Sequence, residues 1–156
     1  MRIGTARYCI AESVAYARER HTFGKPLAGN QAIQFRLAEL HADYELVKAL
    51  TFQVAGEMDQ MSKREVAERL SDKVAICNYR ANKLACEAAD AAIQVHGAMG
   101  FTYEHRLHHY TKRLWSWRDD FGTEVYWNTL LGRKALEVGG DGLWPFLTRL
   151  GSSAAA

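Results

Sequence analysis

The fold is set by residues 16–40, which read "YARERHTFGKPLAGNQAIQFRLAEL". One helical pattern stops near Arg20, because Gly24 and Pro26 interrupt it, and Asn30 is the kind of residue that caps a new helix. The stretch therefore predicts two helices joined by a loop.

Apolar residues recur at steps of three and four on both sides of this loop. Before it the stripe is Ile3, Ala6, Ile10, Val14 and Ala17. After it the stripe is Ile33, Leu37, Leu40, Tyr44, Val47, Leu50 and Val54. Such spacing predicts a first amphipathic helix and a second, long helix of a helical bundle. Met1 leads directly into the first pattern without a cap, so we expect a further segment upstream.

A third helix is predicted to begin at a capping box, because Ser62 lies three residues before Glu65. Its second half is crowded with alanine and reads "LACEAADAA", which allows two helices to approach closely. Gly97 and Gly100 end this helix. Either glycine could serve a left-handed helix end or a close backbone approach to a ligand, and the sequence leaves both uses open.

The remainder of the chain also indicates helices. One is predicted from residue 102 onward, and another follows the break "RDDFGTE" and ends at about Val138. Residues 139–156 are rich in glycine and small residues, which predicts a C-terminal extension that is partly disordered. Strand alternation of useful length is absent from the sequence, so the predicted fold class is all-α.

The composition excludes several classes of function. The chain has 156 residues, 48% of them hydrophobic, enough for one core of ordinary domain size. Its 20 basic and 18 acidic residues are too balanced to predict nucleic acid or an anionic membrane as a partner. No apolar run approaches the roughly 20 residues of a membrane span, and no signal-peptide pattern is present. Three cysteines, an odd number, predict reduced thiols and a cytoplasmic location.

The loop in the opening stretch is the first candidate functional segment. Arg20 could supply a charge for a phosphate, Phe23 a ring face and Gln31 a side-chain amide, which together would suit a nucleotide. The alternative is a solvated helix end on which Phe23 and Leu27 merely pack the turn. Residue types alone leave both interpretations open.

A second candidate is a histidine cluster next to Glu104, formed by His105, His108 and His109. Histidines at this spacing can share a helix face, but their order is not that of a metalloprotease motif. The neighbouring cations Arg106, Lys112 and Arg113 would also repel a metal ion. We therefore predict no metal site.

The order of these segments resembles the C-terminal helical domain of the acyl-CoA dehydrogenase family, over about residues 3–138. The first block carries Tyr16, Arg20, Phe23-Gly24, Pro26-Leu27, Gln31 and Phe35, and the second carries Gln94, Gly97, Gly100 and Phe101. The resemblance implies an antiparallel, up-down four-helix bundle over residues 1–138 with a short extra C-terminal helix. It also implies assembly into homo- or hetero-oligomers, as dimers or tetramers, through the bundle.

The resemblance further implies FAD as the cofactor, bound between subunits. Arg20 would contact the pyrophosphate of a neighbouring subunit's FAD, with Phe23 and Gln31 beside its nucleotide half. Gln94 and the Gly97 turn would hold the adenosine end. Thr123, in the "FGT" that matches the family's Glu-Gly-Thr, would approach FAD within its own subunit.

The sequence departs from the family pattern at the catalytic base. Many members use the glutamate before Gly-Thr to remove the α-proton of the acyl thioester, and Phe121 occupies that position here. Asp119, Asp120 and Glu124 are offset by one to three residues, and Asp120 is at best a weak candidate. Other members take the base from an earlier helix, at a position just upstream of Met1. The catalytic residue is therefore left unknown.

These features support two classes of function. In the first, the chain is the FAD-binding and oligomerisation domain of an acyl-CoA dehydrogenase, inactive alone because the domains that cover the flavin are missing. Its partners would be acyl-CoA and an acceptor of the electron-transfer flavoprotein type. In the second, the chain is a non-catalytic assembly module that lends half a FAD site to a partner chain. The first class is favoured, and an acyl-CoA oxidase or flavin monooxygenase of the same superfold stays open as a third interpretation, because oxygen access is set outside these residues.

Overall fold

The computed structural model describes residues 1–151, which are mainly helical, and the predicted all-α fold is confirmed. The helices are α1 (Arg2–Glu19), α2 (Gln31–Met58), α3 (Lys63–Arg69), α4 (Ser71–His96), α5 (Ala98–Phe101), α6 (Leu107–Trp117) and α7 (Glu124–Gly151). Between α1 and α2 lie a two-residue antiparallel hairpin, β1 (His21–Thr22) and β2 (Lys25–Pro26), and a 3-10 turn at Leu27–Gly29.

Helices α1, α2, α4 and α6 form the predicted up-down-up-down bundle. Helices α1 and α4 run parallel, because Arg2 reaches Asn78 at one end and the rings of Tyr16 and His96 stack 4.3 Å apart at the other. The remaining two helices run in the opposite direction. Contacts that fix those directions are the α2–α4 pairs Asp43–Arg80 and Glu57–Lys73, the pair between Glu12 of α1 and Arg106 at the start of α6, and the α4–α6 pair Asp90–Trp115.

The two parallel helices carry many small residues at buried positions. On α1 these are Ala6 and Cys9, and on α4 they are Ala85, Ala88, Ala89, Ala91 and Ala92, each at most 1% exposed. We call this contact the alanine seam. It confirms the sequence expectation that alanine-rich α4 lies against another helix, and it places α4 at the centre of the domain.

Two features of the helices differ from the sequence-based expectation. Val14 is 39% exposed, and Ser13 is buried in its place because its Oγ donates to the carbonyl of Cys9 at 2.7 Å. The predicted third helix is divided into α3 and α4 at Leu70, whose φ of −108° and ψ of −3° depart from regular helical values although they stay in the right-handed region. The predicted end of the last bundle-region helix at about Val138 is matched by a break in helical geometry at Gly139, after which a further helical segment runs to Gly151.

The predicted helix starts are confirmed in detail. The Asn30 side chain accepts a hydrogen bond from the backbone N–H of Ala32 at 3.0 Å, and the capping box of Ser62 and Glu65 is complete. Of the predicted C-terminal extension, residues 139–151 are helical beyond the Gly139 break, whereas residues 152–156 lie outside the described part of the chain.

Candidate functional site

The hairpin between α1 and α2 presents Phe23 at its tip. Phe23 and Gly24 have φ angles of 51° and 81°, and two-residue hairpins of type I′ require positive φ at both central positions. Glycine adopts this conformation without strain, but phenylalanine does not. The Phe23 ring is nevertheless fully exposed. The fold therefore holds a strained, unpacked aromatic side chain in solvent, which is typical of a binding residue.

Arg20 lies at the base of this hairpin, where the backbone is fixed and the side chain is exposed. Its N–H donates to Tyr16 at 2.8 Å and its carbonyl accepts from Leu27 at 2.7 Å. None of the ion pairs within residues 1–151 includes its guanidinium. Gln31 begins α2 on the same short connection and is also exposed. We call residues 20–31 the hairpin corner.

The end of α4 meets the hairpin corner through aromatic stacking. Tyr16 is one helical turn before Arg20, and His96 immediately precedes Gly97, so their contact brings the ends of α1 and α4 together. Gln94 is exposed near this end. The structure thus gathers five of the six predicted cofactor-binding residues at one end of the bundle: Arg20, Phe23, Gln31, Gln94 and Gly97.

The two glycines after α4 serve different purposes. Gly97 ends the helix with φ 60° and ψ −134°, and a Cβ there would meet no atom within 4 Å. Gly100 has no such φ, but a Cβ there would lie 2.8 Å from the carbonyl oxygen of Ile93. Gly97 is therefore needed for its backbone conformation and leaves open space beside it, whereas Gly100 allows close packing within the chain.

His96 was not among the residues predicted from the sequence. Its Nδ1 lies 2.7 Å from the carbonyl oxygen of Ala92, while its buried Nε2 has no hydrogen-bond partner among the described residues. Burial lowers the pKa of this imidazole. The neutral ring stacks on Tyr16 and so helps to position the hairpin corner. The sequence feature that could have identified His96 as part of this site is its position directly before Gly97.

Thr123 lies in a second place, the loop of residues 118–123. Its Oγ1 accepts from the N–H of Tyr126 at 3.2 Å, which caps α7. The preceding Gly122 has a φ of 103°, and its carbonyl accepts from Asn82 Nδ2 at 3.3 Å and Trp127 Nε1 at 3.2 Å. Arg2 Nη2 also donates to the carbonyl of Asp120 at 2.5 Å. Side chains from three helices therefore fix this loop.

Phe121 is the most prominent residue of that loop. It has a φ of 60° and its side chain is 85% exposed. Asp120 lies beside it and is also exposed, while Asp119 pairs with Arg118 at 3.5 Å. The loop therefore presents an exposed aromatic ring at position 121, where the resemblance implied a glutamate.

The hairpin corner and the 118–123 loop are far apart within one chain. The loop contacts Arg2, at the first residue of α1, and the hairpin corner begins directly after the last. Helix α1 has 18 residues, so its ends are separated by roughly 27 Å at about 1.5 Å per residue. The two sets of residues therefore lie near opposite ends of α1 in the same protomer.

The histidine cluster forms local contacts instead of a metal centre. His108 Nδ1 lies 2.8 Å from the carbonyl oxygen of His105, and its ring lies 3.9 Å from that of His109. Within the described residues, no three histidine, cysteine, aspartate or glutamate side chains are grouped to hold a metal ion.

Comparison with known proteins identifies the fold and the family. Residues 1–124 match the family model for the acyl-CoA dehydrogenase C-terminal domain. Over 105 residues, 67% of the chain, the sequence is 30% identical to 3-(aryl)acrylate reductase of Clostridium sporogenes. It is 31% identical to the caffeyl-CoA reductase-Etf complex subunit CarC of Acetobacterium woodii over the same proportion. A structure of glutaryl-coenzyme A dehydrogenase with glutaryl-CoA aligns with a TM-score of 0.78 and 22% sequence identity. The alignment covers 90% of this chain and 34% of that chain.

The fold is that of the helical C-terminal domains of acyl-CoA dehydrogenases. The chain belongs to the acyl-CoA dehydrogenase family, as the order of its motifs had indicated. It spans 26% of the length of the two relatives named above. None of the helices in the described part of the chain combines the length and apolar character required to cross a bilayer.

Proposed function

We propose that this chain is the FAD-binding and oligomerisation domain of a flavin-dependent acyl-CoA dehydrogenase. The observation that carries the proposal is the hairpin corner, which combines a strained and fully exposed Phe23 with the guanidinium of Arg20, a group that forms no ion pair within residues 1–151. Exposing an aromatic ring in a strained backbone conformation gives the isolated domain no stability. A ligand or a neighbouring subunit that covers the ring accounts for it.

The residues at this end of the bundle suit FAD chemically. Arg20 supplies a cation for the pyrophosphate, Phe23 an aromatic face, and Gln31 and Gln94 supply amide groups for polar ring edges. Gly97 would allow close approach, because no atom lies within 4 Å of the position where a side chain would begin. The donor set therefore fits a dinucleotide, with Thr123 contacting it from the 118–123 loop.

Bound FAD would supply the redox chemistry, taking a hydride from the β-carbon of an acyl-CoA thioester. The residues of this chain would bind and orient the cofactor. Phe121 cannot accept the α-proton, so that proton must be removed by a group elsewhere in the assembled enzyme. Phe121 would instead exclude water from its surroundings.

The proposal includes an oligomer in which two protomers complete each FAD site. The distance between the hairpin corner and the 118–123 loop supports this, because the two sets of contacts then belong to different chains. An electron-transfer flavoprotein-type acceptor is a suitable redox partner, since one relative belongs to an Etf complex. Three free cysteines fit the proposed cytoplasmic location.

The flavin content of the assembled protein tests the role of Arg20. Arg20→Ala removes the proposed pyrophosphate contact, so we expect at least a tenfold weaker affinity for FAD, because hydrogen bonds to charged groups contribute about 1.5–3 kcal/mol each. Arg18→Ala is the matched control, since Arg18 is an exposed arginine in the last turn of the same helix. Equal flavin retention by both variants after gel filtration would contradict the proposal.

Phe121 favours a second candidate function, a non-catalytic module that lends half a FAD site to a partner chain. The test is acyl-CoA-dependent dye reduction by the assembled protein carrying Phe121→Glu. A gain in activity would mean that position 121 faces the substrate and lacks only a base. No gain, together with normal flavin content, would favour the assembly module.

A further inference from the structure

An apolar cleft opens at the end of the bundle where α1 begins. Its volume is about 440 Å³, and its walls include Ile3, Val54, Met58, Val74, Trp117 and Phe121. Sites for small molecules usually occupy about 300–1,000 Å³ and combine apolar walls with a few polar groups. The cleft therefore has the size and lining of a ligand site.

Arg2 is the only cationic side chain that lines this cleft within the described residues, and Met1, which also lines it, carries the α-ammonium group of the chain. The Arg2 guanidinium is half-buried and donates to Asn78 Oδ1 at 3.4 Å and to the Asp120 carbonyl, which leaves several N–H donors unused. It forms no ion pair in the part of the chain that the structure describes. Burial lowers the pKa of this group, and only the charge of Asp120 opposes that effect.

We propose that the cleft binds an aliphatic carboxylate, with the hydrocarbon chain against the apolar walls and the carboxylate paired with Arg2. A partly desolvated guanidinium with free donors favours a planar anion, because two parallel N–H···O bonds then form at once. Asp120 also lines the cleft, and its negative charge, which acts on Arg2, limits the affinity. The carboxylate could belong to a free fatty acid or to the far end of a dicarboxylic acyl thioester.

Calorimetric titration of the full chain with dodecanoate and dodecanol tests the charge contribution. We expect dodecanoate to bind at least tenfold more tightly than dodecanol, and Arg2→Met to abolish that difference. Arg7→Met is the matched control on the same helix, because Arg7 does not line this cleft, and it should keep the preference. Asp120→Asn should tighten dodecanoate binding. Equal affinity of the wild-type chain for the acid and the alcohol would overturn the proposal.

A second measurement locates the ligand without any substitution. Cys77 lines the cleft, whereas Cys86, another half-buried thiol on α4, does not. Dodecanoate should slow maleimide labelling of Cys77 and leave the rate at Cys86 unchanged. Equal effects at both thiols, or none at either, would place the ligand elsewhere and overturn the proposal.

Two thioesters distinguish the sources of the carboxylate. Arg2-dependent binding of dodecanedioyl-CoA, but not of dodecanoyl-CoA, would assign the site to a dicarboxylic acyl group. Dependence on Arg2 for free dodecanoate alone would assign it to a fatty acid. These measurements do not involve flavin, so they can succeed or fail independently of the Arg20→Ala experiment.

Discussion

At Phe23, one substitution should change the stability of the protein and its flavin binding in opposite directions. The left-handed backbone conformation at this position costs roughly 1–2 kcal/mol for a side chain of this kind, whereas asparagine tolerates it. Phe23→Asn creates an Asn-Gly turn, and we expect it to raise the free energy of unfolding by about 1 kcal/mol. The same substitution should reduce flavin retention in the assembled protein. Urea denaturation and flavin absorbance measure the two effects.

The control for that experiment is Phe23→Leu. Leucine has the same backbone strain as phenylalanine, so it should give no gain in stability, while loss of the aromatic face should still weaken flavin retention. A variant with asparagine that is less stable than the wild type would show that the Phe23 ring packs on the protein.

Gly100 and Gly56 should respond to alanine with opposite signs. The new Cβ at position 100 would lie 2.8 Å from the carbonyl oxygen of Ile93, which must move, and such overpacking costs roughly 1–3 kcal/mol. At position 56, inside α2, nothing lies within 4 Å, so Gly56→Ala should stabilise the protein by up to about 1 kcal/mol. Thermal unfolding compares the two, and equal shifts in Tm would contradict the packing argument.

The glycines after α4 and Ser13 show which structural roles a sequence pattern does not predict. The glycines of "QVHGAMGF" could not be assigned to helix ending or to close approach, because the distance from Gly100 to Ile93 depends on how α5 folds back on α4. The sequence pattern predicted Val14 as the buried residue and not Ser13, because a serine hydroxyl is polar. The hydrogen bond from Ser13 to Cys9 removes the penalty of burying that hydroxyl, and such a bond is visible only in the folded helix.

At the scale of helices, one buried ion pair joins α2 to α4. Lys73 is only 5% exposed, and its Nζ donates to Glu57 Oε1 at 2.7 Å and Oε2 at 2.8 Å. Lys73→Met would leave the Glu57 carboxylate largely buried without its cation, which we expect to cost about 3 kcal/mol. Adding Glu57→Gln should restore more than half of this loss. Urea denaturation of the single and double variants measures the coupling free energy between Lys73 and Glu57. A coupling energy of zero would contradict a stabilising role for this pair.

The same pair should make stability depend on pH. The hydrogen bond from Lys73 holds the pKa of Glu57 below its ordinary value. The stabilisation is therefore complete above the unfolded pKa of about 4.3 and is lost as the pH falls through the lower pKa of the folded state. The advantage of the wild type over Glu57→Gln should shrink in that acid range. A constant difference in urea midpoint between about pH 3 and 7 would contradict this assignment.

Helix boundaries were predicted well where side chains set them locally. Asn30 and Ser62 bond to N–H groups two or three residues away, so their roles follow from the sequence alone. The division at Leu70 was not predicted. Its apolar side chain continues the stripe of the helix and is only 2% exposed, so burial against the other helices hides the backbone distortion from any pattern of residues.

At the scale of the whole molecule, the separation of Arg20 from Thr123 predicts complementation between protomers. If each FAD contacts Arg20 of one chain and Thr123 of another, co-assembled Arg20→Ala and Thr123→Ala chains contain one intact site and one doubly altered site. We expect mixed dimers to regain up to half of the wild-type flavin content. The two homo-oligomers should retain much less.

Tagging the two chains differently allows mixed dimers to be purified and their flavin absorbance measured. Flavin content no higher than in either homo-oligomer would mean that both residues serve the same site within one chain. The motifs in the sequence predicted both residues. The distance between them became known only from the structure, which shows that α1 and α4 run parallel. Motif order along a chain carries no information about which end of a bundle each motif reaches.

The alanine seam also bears on how the protein responds to temperature. Methyl side chains lose almost no rotamer entropy on folding, and their small size brings peptide groups of α1 and α4 near each other. Unfolding then exposes to water a larger share of peptide surface, relative to apolar surface, than in a bundle with large side chains. Hydration of peptide groups lowers the heat capacity of unfolding, whereas hydration of apolar groups raises it. A domain built on such a seam should have a flatter stability curve than a leucine-filled bundle of equal length.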